Sequence, residues 1–329
     1  MKNRSYWFMI ITIILLVLLI GVGFLTIPRQ IERTIIVIGK GDSASKIAQN
    51  LVDNNLIYST FIFKLYTKIS GCDKKMKPGR YIFEEESNLF ITVNKICNGD
   101  YELMRFTVPE GLSLERTLNQ IAGSLNFTRS SLDSLANNSE FCEEVTGFDI
   151  GSLEGFLYPE TYHVEDDSNP EQVLKIMVKQ GQRLFKQAGV GSLEQLSYYE
   201  TLVLASIVEK EAKNREEMPI IADVYRKRLK LRMKLGASPT VQYLLEKQGK
   251  HREFLYYKDT EIESPYNTYL NYGLPPTPIC SPSIYAVNAV LEPANTEYLY
   301  FFADGAGGHI FTKSYQEHLD QRRSMRRKK

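Results

Sequence analysis

The sequence predicts a mixed α+β protein with one N-terminal transmembrane helix, a small α+β module and a larger mixed α+β domain. Three observations lead to this prediction. Residues 6–27 are an uncharged apolar run. Along the remaining chain, short apolar runs typical of strands alternate with segments of helical period. The 329 residues, 43% hydrophobic and 24% charged, suffice for two or three folded domains of about 100–200 residues each.

The apolar run predicts a membrane span. Its 22 residues would form a helix about 33 Å long, enough for a hydrocarbon core of about 30 Å. A cleaved signal peptide is less favoured, because the run exceeds roughly 7–15 residues and no A-x-A site follows. A buried core helix is the third interpretation. Because Lys2 and Arg4 precede the run, we favour a short cytoplasmic tail, residues 1–5, with the body exported, although Arg29 and Arg33 weaken this charge signal.

Composition excludes several classes of function. The net charge of +1 argues against a nucleic-acid-binding protein, although six Lys/Arg stand in the basic tail, residues 320–329. This tail would either bind anionic lipid headgroups or be a disordered solubilising end. The four cysteines form no CxxC pair and the four histidines lack metal-ligand spacing, so we expect no metal site. DGAGGHIF lacks the G-K-[ST] of a phosphate loop, which argues against nucleotide binding, and the absence of a G-x-S-x-G elbow leaves a serine hydrolase without local support. We expect no cofactor.

The small module is expected over residues 28–103. A strand at TIIVIG precedes a helix that Ser43 would cap, and a second helix at Phe61–Ile69 precedes a strand in KPGRYIF. Cys72 and Cys97 flank the turn before that strand and are candidates for a disulfide, which the sequence alone does not establish.

The larger domain is expected over residues 104–319. It opens with a strand, a turn and a helix that Ser113 would cap, which is either a weak repeat of the module's start or an unrelated piece. Residues 124–150 lack a period and predict irregular structure. Helices are expected at about 170–188, at the segment containing Tyr199–Ile207, which is apolar nearly all round, and at about 216–234. Pro-rich loops and two strands, at YLYFFAD and HIF, follow.

Two glutamates at the end of the apolar helix are the first candidates for chemistry. Glu209 and Glu211 would project about 200° apart around a helix, so they cannot face one cleft together as a glycosidase pair does. One of them alone, in apolar surroundings, would have a raised pKa suited to acid–base catalysis. Alternatively, both are exposed charges that pair with Lys210 or Lys213.

Two aromatic segments are candidates for a carbohydrate groove. They are LEGFLYPETY, residues 153–162, and SPYNTYLNYGLPPTPICSP, residues 264–282. Aromatic faces stack on sugar rings, while amide and hydroxyl groups exchange hydrogen bonds with sugar hydroxyls. The alternative interpretation is a Tyr-rich edge of the core with Pro-stiffened loops.

Five motifs in a fixed order, together with the N-terminal span, carry a resemblance to a known family. The motifs are LEGFLYPETY, ASIVEKEA, SPTVQY, SPYNTY…GLPP…SP and YLYFFADGAGGHIF. Over nearly its whole length the chain resembles the YceG-like family of endolytic murein transglycosylases. The resemblance implies that the small module is LysM-like, and that the protein sits in the inner membrane with its catalytic body facing the periplasm. It also implies cleavage of nascent peptidoglycan glycan strands between MurNAc and GlcNAc, leaving 1,6-anhydro-MurNAc ends and limiting strand elongation.

The resemblance also implies the site residues. The family's catalytic acid falls on Glu211, which makes Glu209 a supporting residue. The implied substrate-binding residues are Glu154, Gln242, Tyr243, Asn267 and Tyr269. One departure is Ser238, which stands where the family usually has Asp.

The implied partners are glycan strands, the inner membrane, and penicillin-binding proteins with other cell-wall synthesis proteins. The alternative function is a non-catalytic, membrane-anchored peptidoglycan-binding scaffold for such synthases. A membrane-anchored peptidase is the third hypothesis, and the sequence offers no nucleophile or metal motif for it.

Overall fold

The computed structural model describes residues 6, 7, 9, 12, 13, 27–191, 196–250, 252 and 254–328. Across these residues the protein is a mixed α+β structure, which confirms the predicted class. No helix within the described residues is long and apolar enough to cross a membrane. Most of the segment 6–27, and all of residues 1–5, lie outside the described residues, so the predicted span stays a prediction.

The chain divides into two compact units. The first contains the residues up to Met104 together with His163–Ser168, and the second contains Arg105–Tyr162 and the chain from Asn169 onward.

The first unit packs three helices against a two-stranded sheet. Its elements are β1 (Arg29–Ile38), α1 (Ala44–Asp53), α2 (Thr60–Ser70), β2 (Gly79–Ser87) and α3 (Leu89–Asn98). The strands are antiparallel, with Ile36 opposite Tyr81, and both side chains are buried. Ser43 caps α1 as expected, since its hydroxyl accepts a hydrogen bond from the Lys46 N–H. Cys72 and Cys97 form a disulfide with their Cα atoms 5.7 Å apart.

The second unit is mainly helical. Its helices are α4 (Leu114–Leu125), α5 (Arg129–Ala136), α6 (Ser139–Thr146), α7 (Pro170–Gln187), α8 (Tyr198–Glu211), α9 (Met218–Lys230), α10 (Ser238–Lys247), α11 (Ile284–Leu291) and α12 (Tyr315–Lys328). Two short strands, β3 (Met104–Thr107) and β4 (Thr161–Val164), form a two-stranded sheet. A hairpin of β5 (Tyr300–Ala303) and β6 (His309–Thr312) lies near the end of the chain.

Helix α8 forms the centre of this unit. A capping box begins it: the Ser197 hydroxyl accepts from the Glu200 N–H, and the Glu200 carboxylate accepts from the Ser197 N–H. The eight residues Thr201–Val208 are all buried, as expected for a helix that is apolar nearly all round. The helix ends at Glu211, which places this residue where the buried segment reaches the surface.

Several elements differ from the sequence predictions. Residues 124–150 are not irregular, because α5 and α6 lie there, each with only eight residues and each capped by a polar side chain, Thr128 and Asn138. Such short helices contain too few turns for a clear period. Helices α10 and α11 likewise replace parts of the predicted loops. The described part of the basic tail is the end of α12 and not a disordered segment.

Candidate active site

A cavity of about 930 Å³ lies in the second unit at the end of α8. Its walls come from the end of α8, from α9 and α10, from the β5–β6 hairpin and from α12. The lining residues used below are Lys210, Glu211, Lys213, Tyr225, Arg228, Ser238, Gln242, Tyr269, Phe301 and His309. Within the described part of the chain, Glu211 is the only carboxyl group that lines this cavity.

Glu211 is set up to hold a proton near neutral pH. Its side chain is partly buried, and the hydroxyl of Tyr225 donates a hydrogen bond of 3.1 Å to Oε1. Desolvation by burial raises the pKa of Glu211 to about 7, while the Tyr225 hydrogen bond and the charges of Lys213 and Arg228 act in the opposite direction. A group of this pKa can act as an acid and, after losing its proton, as a base.

Glu209 has a structural contact instead. Its Oε2 atom accepts hydrogen bonds from the backbone N–H of Ser283 at 3.0 Å and from the hydroxyl of Ser283 at 2.6 Å. Ser283 is the N-cap of α11, so Glu209 ties α8 to the start of that helix. Glu209 does not line the cavity, in keeping with the angular separation expected on a helix.

Two of the expected substrate-binding residues, Gln242 and Tyr269, line the cavity together with Glu211. The Tyr269 hydroxyl lies 2.9 Å from the hydroxyl of Ser238. Burial raises the pKa of Tyr269, so its hydroxyl stays protonated at neutral pH. The wall facing Glu211 therefore offers neutral hydroxyl and amide groups that can hydrogen-bond to a sugar.

Glu154 and Tyr243 do not reach this cavity in the structure. Glu154 is buried and accepts hydrogen bonds from the Leu114 N–H at 2.9 Å and from the Tyr243 hydroxyl at 3.0 Å. Since Leu114 is the first residue of α4, the carboxyl of Glu154 caps this helix, while the Ser113 hydroxyl donates to Glu246. Burial raises the pKa of Glu154 to about 7.

Asn267 is fully buried and also lies outside the lining of the cavity. Its side-chain amide donates to the carbonyls of Thr260 and Ile262, and its Oδ1 atom accepts from the backbone N–H of Tyr269 at 3.0 Å. Asn267 therefore fixes the backbone that presents Tyr269 to the cavity.

The first aromatic segment is mostly core. Phe156, Leu157 and Tyr158 are buried, which favours the structural interpretation for this part of the chain. Gly155 has φ +83°, and a Cβ there would overlap with the ring of Pro278 in the second aromatic segment. The two segments pack together, but of the residues proposed from them only Tyr269 reaches the cavity.

Sequence reasoning missed the part of the site contributed by α9. Its many Lys and Arg residues suggested a solvated face, yet Tyr225 is buried and Arg228 donates to the carbonyls of Leu299 and Leu235. The two residues are three positions apart and thus lie on one face of the helix. This spacing was the sequence pattern that could have indicated that both contribute to one site.

The β5–β6 hairpin supplies the opposite wall. The ring of Phe301 packs edge-on against Tyr225 and against His309, with centroid distances of 5.6 and 5.3 Å. Nδ1 of His309 lies 2.8 Å from Oε2 of Glu217, and Oε1 of the same carboxylate accepts a hydrogen bond from the His309 backbone N–H at 2.7 Å. The carboxylate of Glu217 thereby fixes the orientation of the His309 ring.

Comparison with known protein families matches residues 36–324 to the YceG-like family. The chain belongs to the YceG-like family. A Bacillus subtilis protein named endolytic murein transglycosylase is 33% identical over 297 residues, covering 85% of this chain and 81% of the relative. A Streptococcus pneumoniae protein of the same name is 26% identical over 312 residues, and the match covers 86% of this chain but only 56% of that longer relative.

A solved structure is similar to this YceG-like chain as well. The crystal structure of a yceG-like protein from Listeria monocytogenes aligns with a TM-score of 0.60 and 31% sequence identity, covering 88% of this chain and 98% of that one.

Proposed function

We propose that this protein is an endolytic peptidoglycan lytic transglycosylase, which cleaves the bond between MurNAc and GlcNAc within nascent glycan strands. The observation that carries the proposal is Glu211, the one carboxyl group among the described residues that line the cavity of about 930 Å³, with a pKa raised to about 7. Membership of the YceG-like family supports it, as do the names of the Bacillus and Streptococcus relatives.

One carboxyl group suffices for this reaction. Protonated Glu211 donates its proton to the glycosidic oxygen as the C1–O bond of MurNAc breaks. The resulting carboxylate then accepts the proton of the MurNAc C6 hydroxyl while that oxygen attacks C1 and closes a 1,6-anhydro ring. Glu211 ends as it began, and no water is consumed, so a second carboxylate to activate water is not needed.

The surroundings of Glu211 suit both steps. Burial keeps the proton on the carboxyl until the substrate is in place, and the Tyr225 hydroxyl stabilises the carboxylate once the proton has been transferred. Charge developing on the sugar must be stabilised by dipoles of the cavity wall, for which the hydroxyls of Ser238 and Tyr269 are available.

The location and organisation of the chain belong to the same proposal. The apolar segment 6–27 would anchor the protein in the inner membrane, with residues 1–5 cytoplasmic and the body facing the periplasm. A disulfide between Cys72 and Cys97 suits an oxidising compartment. Residues 28–103 would be the LysM-like module and 104–319 the catalytic domain, with penicillin-binding proteins and other synthesis proteins as partners.

The experiment uses the full chain in detergent with uncross-linked glycan strands, and the products are analysed by mass spectrometry. We expect internal fragments ending in 1,6-anhydro-MurNAc, lighter by one water than hydrolysed ends. Glu211→Gln should lower the rate at least about 100-fold while strand binding persists. The exposed Glu216 provides a matched control, since Glu216→Gln makes the same change outside the cavity.

Three other outcomes would each contradict a different part of the proposal. Hydrolysed reducing ends would identify a hydrolase and require a water-activating group. Strand binding without cleavage by the unmodified protein would favour the non-catalytic scaffold. Normal cleavage by Glu211→Gln would show that another residue is the acid.

A further inference from the structure

A second, smaller cleft of about 300 Å³ adjoins the catalytic cavity. The two share Lys210, Pro239 and Gln242 in their linings, so they are neighbouring parts of one surface. We call the smaller one the basic cleft and define it by Arg116, Lys210, Gln242, Glu246, Lys250 and Arg252. All these residues belong to the second unit of the chain.

The charge of the basic cleft is strongly one-sided. Among the described residues, four cationic side chains line it against one carboxylate, Glu246, so these five residues carry a formal charge of +3. Two of the cations are engaged by carboxylates: Arg116 Nε donates to Glu246 at 2.7 Å, and Arg252 donates to both oxygens of the buried Asp259 at 2.8 and 2.9 Å.

Within the described part of the chain, Lys210 and Lys250 donate hydrogen bonds to neutral oxygens. The ammonium group of Lys210 donates to the Gly111 carbonyl at 3.2 Å, and that of Lys250 donates to the side-chain oxygen of Gln248 at 3.0 Å. Among the described residues neither forms an ion pair with a carboxylate. Two unneutralised lysines beside a hydrogen-bonding amide, Gln242, make a receptor for an anionic group.

The position of the cleft indicates which anion it would receive. Lys210 directly precedes Glu211, and it lines both the basic cleft and the catalytic cavity. In a glycan strand the MurNAc ring carries a peptide stem through its lactyl group, and this stem contains free carboxylates. The MurNAc whose C1–O bond breaks must lie at Glu211, so its stem leaves the sugar close to Lys210.

We propose that the basic cleft binds a carboxylate of the peptide stem on the MurNAc residue whose glycosidic bond is cleaved. The inference rests on the proposed function and adds a substrate preference to it: stem-bearing strands over strands without peptides. A pyrophosphate at a lipid-linked strand end has similar anionic chemistry. It occurs only at the terminus, whereas an internal cut always involves a stem-bearing MurNAc.

The test compares two substrates with the full chain in detergent: lipid-free strands that carry stems, and the same strands after an amidase has removed the stems. The readout is the ratio of kcat/KM for stem-bearing over denuded strands. We expect Lys250→Gln to lower this ratio by about threefold, and Lys210→Gln with Lys250→Gln by about tenfold, in line with partly exposed ion pairs. Lys250→Arg, which keeps the charge, should restore the ratio.

Lys179 on α7 provides the matched control, since it is exposed and lies outside both linings. Lys179→Gln should keep the ratio of the unmodified protein. A ratio that stays unchanged in the Lys210 and Lys250 variants would overturn the proposal. When lipid-linked strands are assayed in parallel, a loss of rate by the Lys210 and Lys250 variants on those strands alone would assign the cleft to the pyrophosphate and overturn the proposal as well.

A binding measurement separates this inference from the proposed function. Glu211→Gln chains with and without Lys250→Gln are titrated with both kinds of lipid-free strand. The ratio of the two dissociation constants should change on loss of Lys250 whether or not the protein cleaves. An unchanged ratio would refute the cleft assignment, whereas a changed ratio, together with an unmodified protein that cleaves neither kind of strand, would refute only the transglycosylase.

Discussion

Replacing Tyr225 by Phe tests how the pKa of Glu211, the proposed catalytic acid, is set. Tyr225 is fully buried on α9, and its hydroxyl is 3.1 Å from Oε1 of Glu211. The ring packs edge-on against Phe301 at a centroid distance of 5.6 Å. Phenylalanine keeps the ring and its packing, so the substitution removes little besides the hydrogen bond to the carboxyl group.

The magnitude follows from the kind of bond that is lost. A hydrogen bond to a charged group contributes about 1.5–3 kcal/mol, and one pKa unit corresponds to about 1.4 kcal/mol. The Tyr225 hydroxyl lowers the pKa of Glu211 because it favours the carboxylate. Its loss should therefore raise that pKa from about 7 by about 1–2 units.

The assay is the pH dependence of kcat/KM on glycan strands, which reports the pKa values of the free enzyme. Because protonated Glu211 starts the reaction, the rate should fall as the pH rises through its pKa, and in Tyr225→Phe this decline should move about 1–2 pH units higher. Tyr199→Phe is the matched control, since its hydroxyl donates to the Pro276 carbonyl outside the catalytic cavity. If the rate falls over the same alkaline pH range in the unmodified protein, Tyr225→Phe and Tyr199→Phe, the Tyr225 hydroxyl does not set the pKa of Glu211.

Two predictions concern stability. The pKa of buried Glu154 is raised from 4.5 to about 7, so the folded state binds a proton more tightly than the unfolded chain and loses stability as the pH rises across this window. Glu154→Gln should reduce this pH-dependent loss in the free energy of unfolding by up to about 3 kcal/mol. The free energy is measured by urea unfolding at a series of pH values. If the two proteins show the same dependence of this free energy on pH, the burial argument is contradicted. Ser283→Ala removes both the cap of α11 and a partner of Glu209, so it should lower the free energy of unfolding by about 1–2 kcal/mol. Thermal unfolding measures this loss, and an unchanged Tm would contradict the prediction.

The catalytic helix could be predicted from the sequence because its signals are local. Apolar positions surround the helix axis over one continuous stretch, and the angle between Glu209 and Glu211 follows from helix geometry alone. The choice of Glu211 over Glu209 needed the family resemblance, and the Ser283 contact now gives Glu209 a structural explanation. That contact joins residues 74 positions apart, a distance over which no local pattern in the sequence operates.

Two residues that were expected to bind substrate, Glu154 and Asn267, show the same limit. Glu154 follows an apolar residue in an aromatic segment, and nothing nearby reveals that its partners are Leu114 and Tyr243, which lie 40 and 89 positions away. Asn267 has the composition of a sugar-binding residue but holds a loop in shape. A polar side chain in an aromatic motif can therefore bind a ligand or satisfy a buried backbone, and only tertiary contacts distinguish the two roles.

The place of Glu211 along its helix has an electrostatic consequence. Glu211 is the last residue of α8, where the unpaired carbonyls of the final turn concentrate partial negative charge. A carboxylate at this end is disfavoured by about 0.3–1 kcal/mol, so the helix dipole retains the proton on Glu211 in the same direction as burial does. The helix that carries Glu211 thus also helps to keep its carboxyl group protonated, and moving the carboxyl group to the first turn would reverse the sign of this contribution.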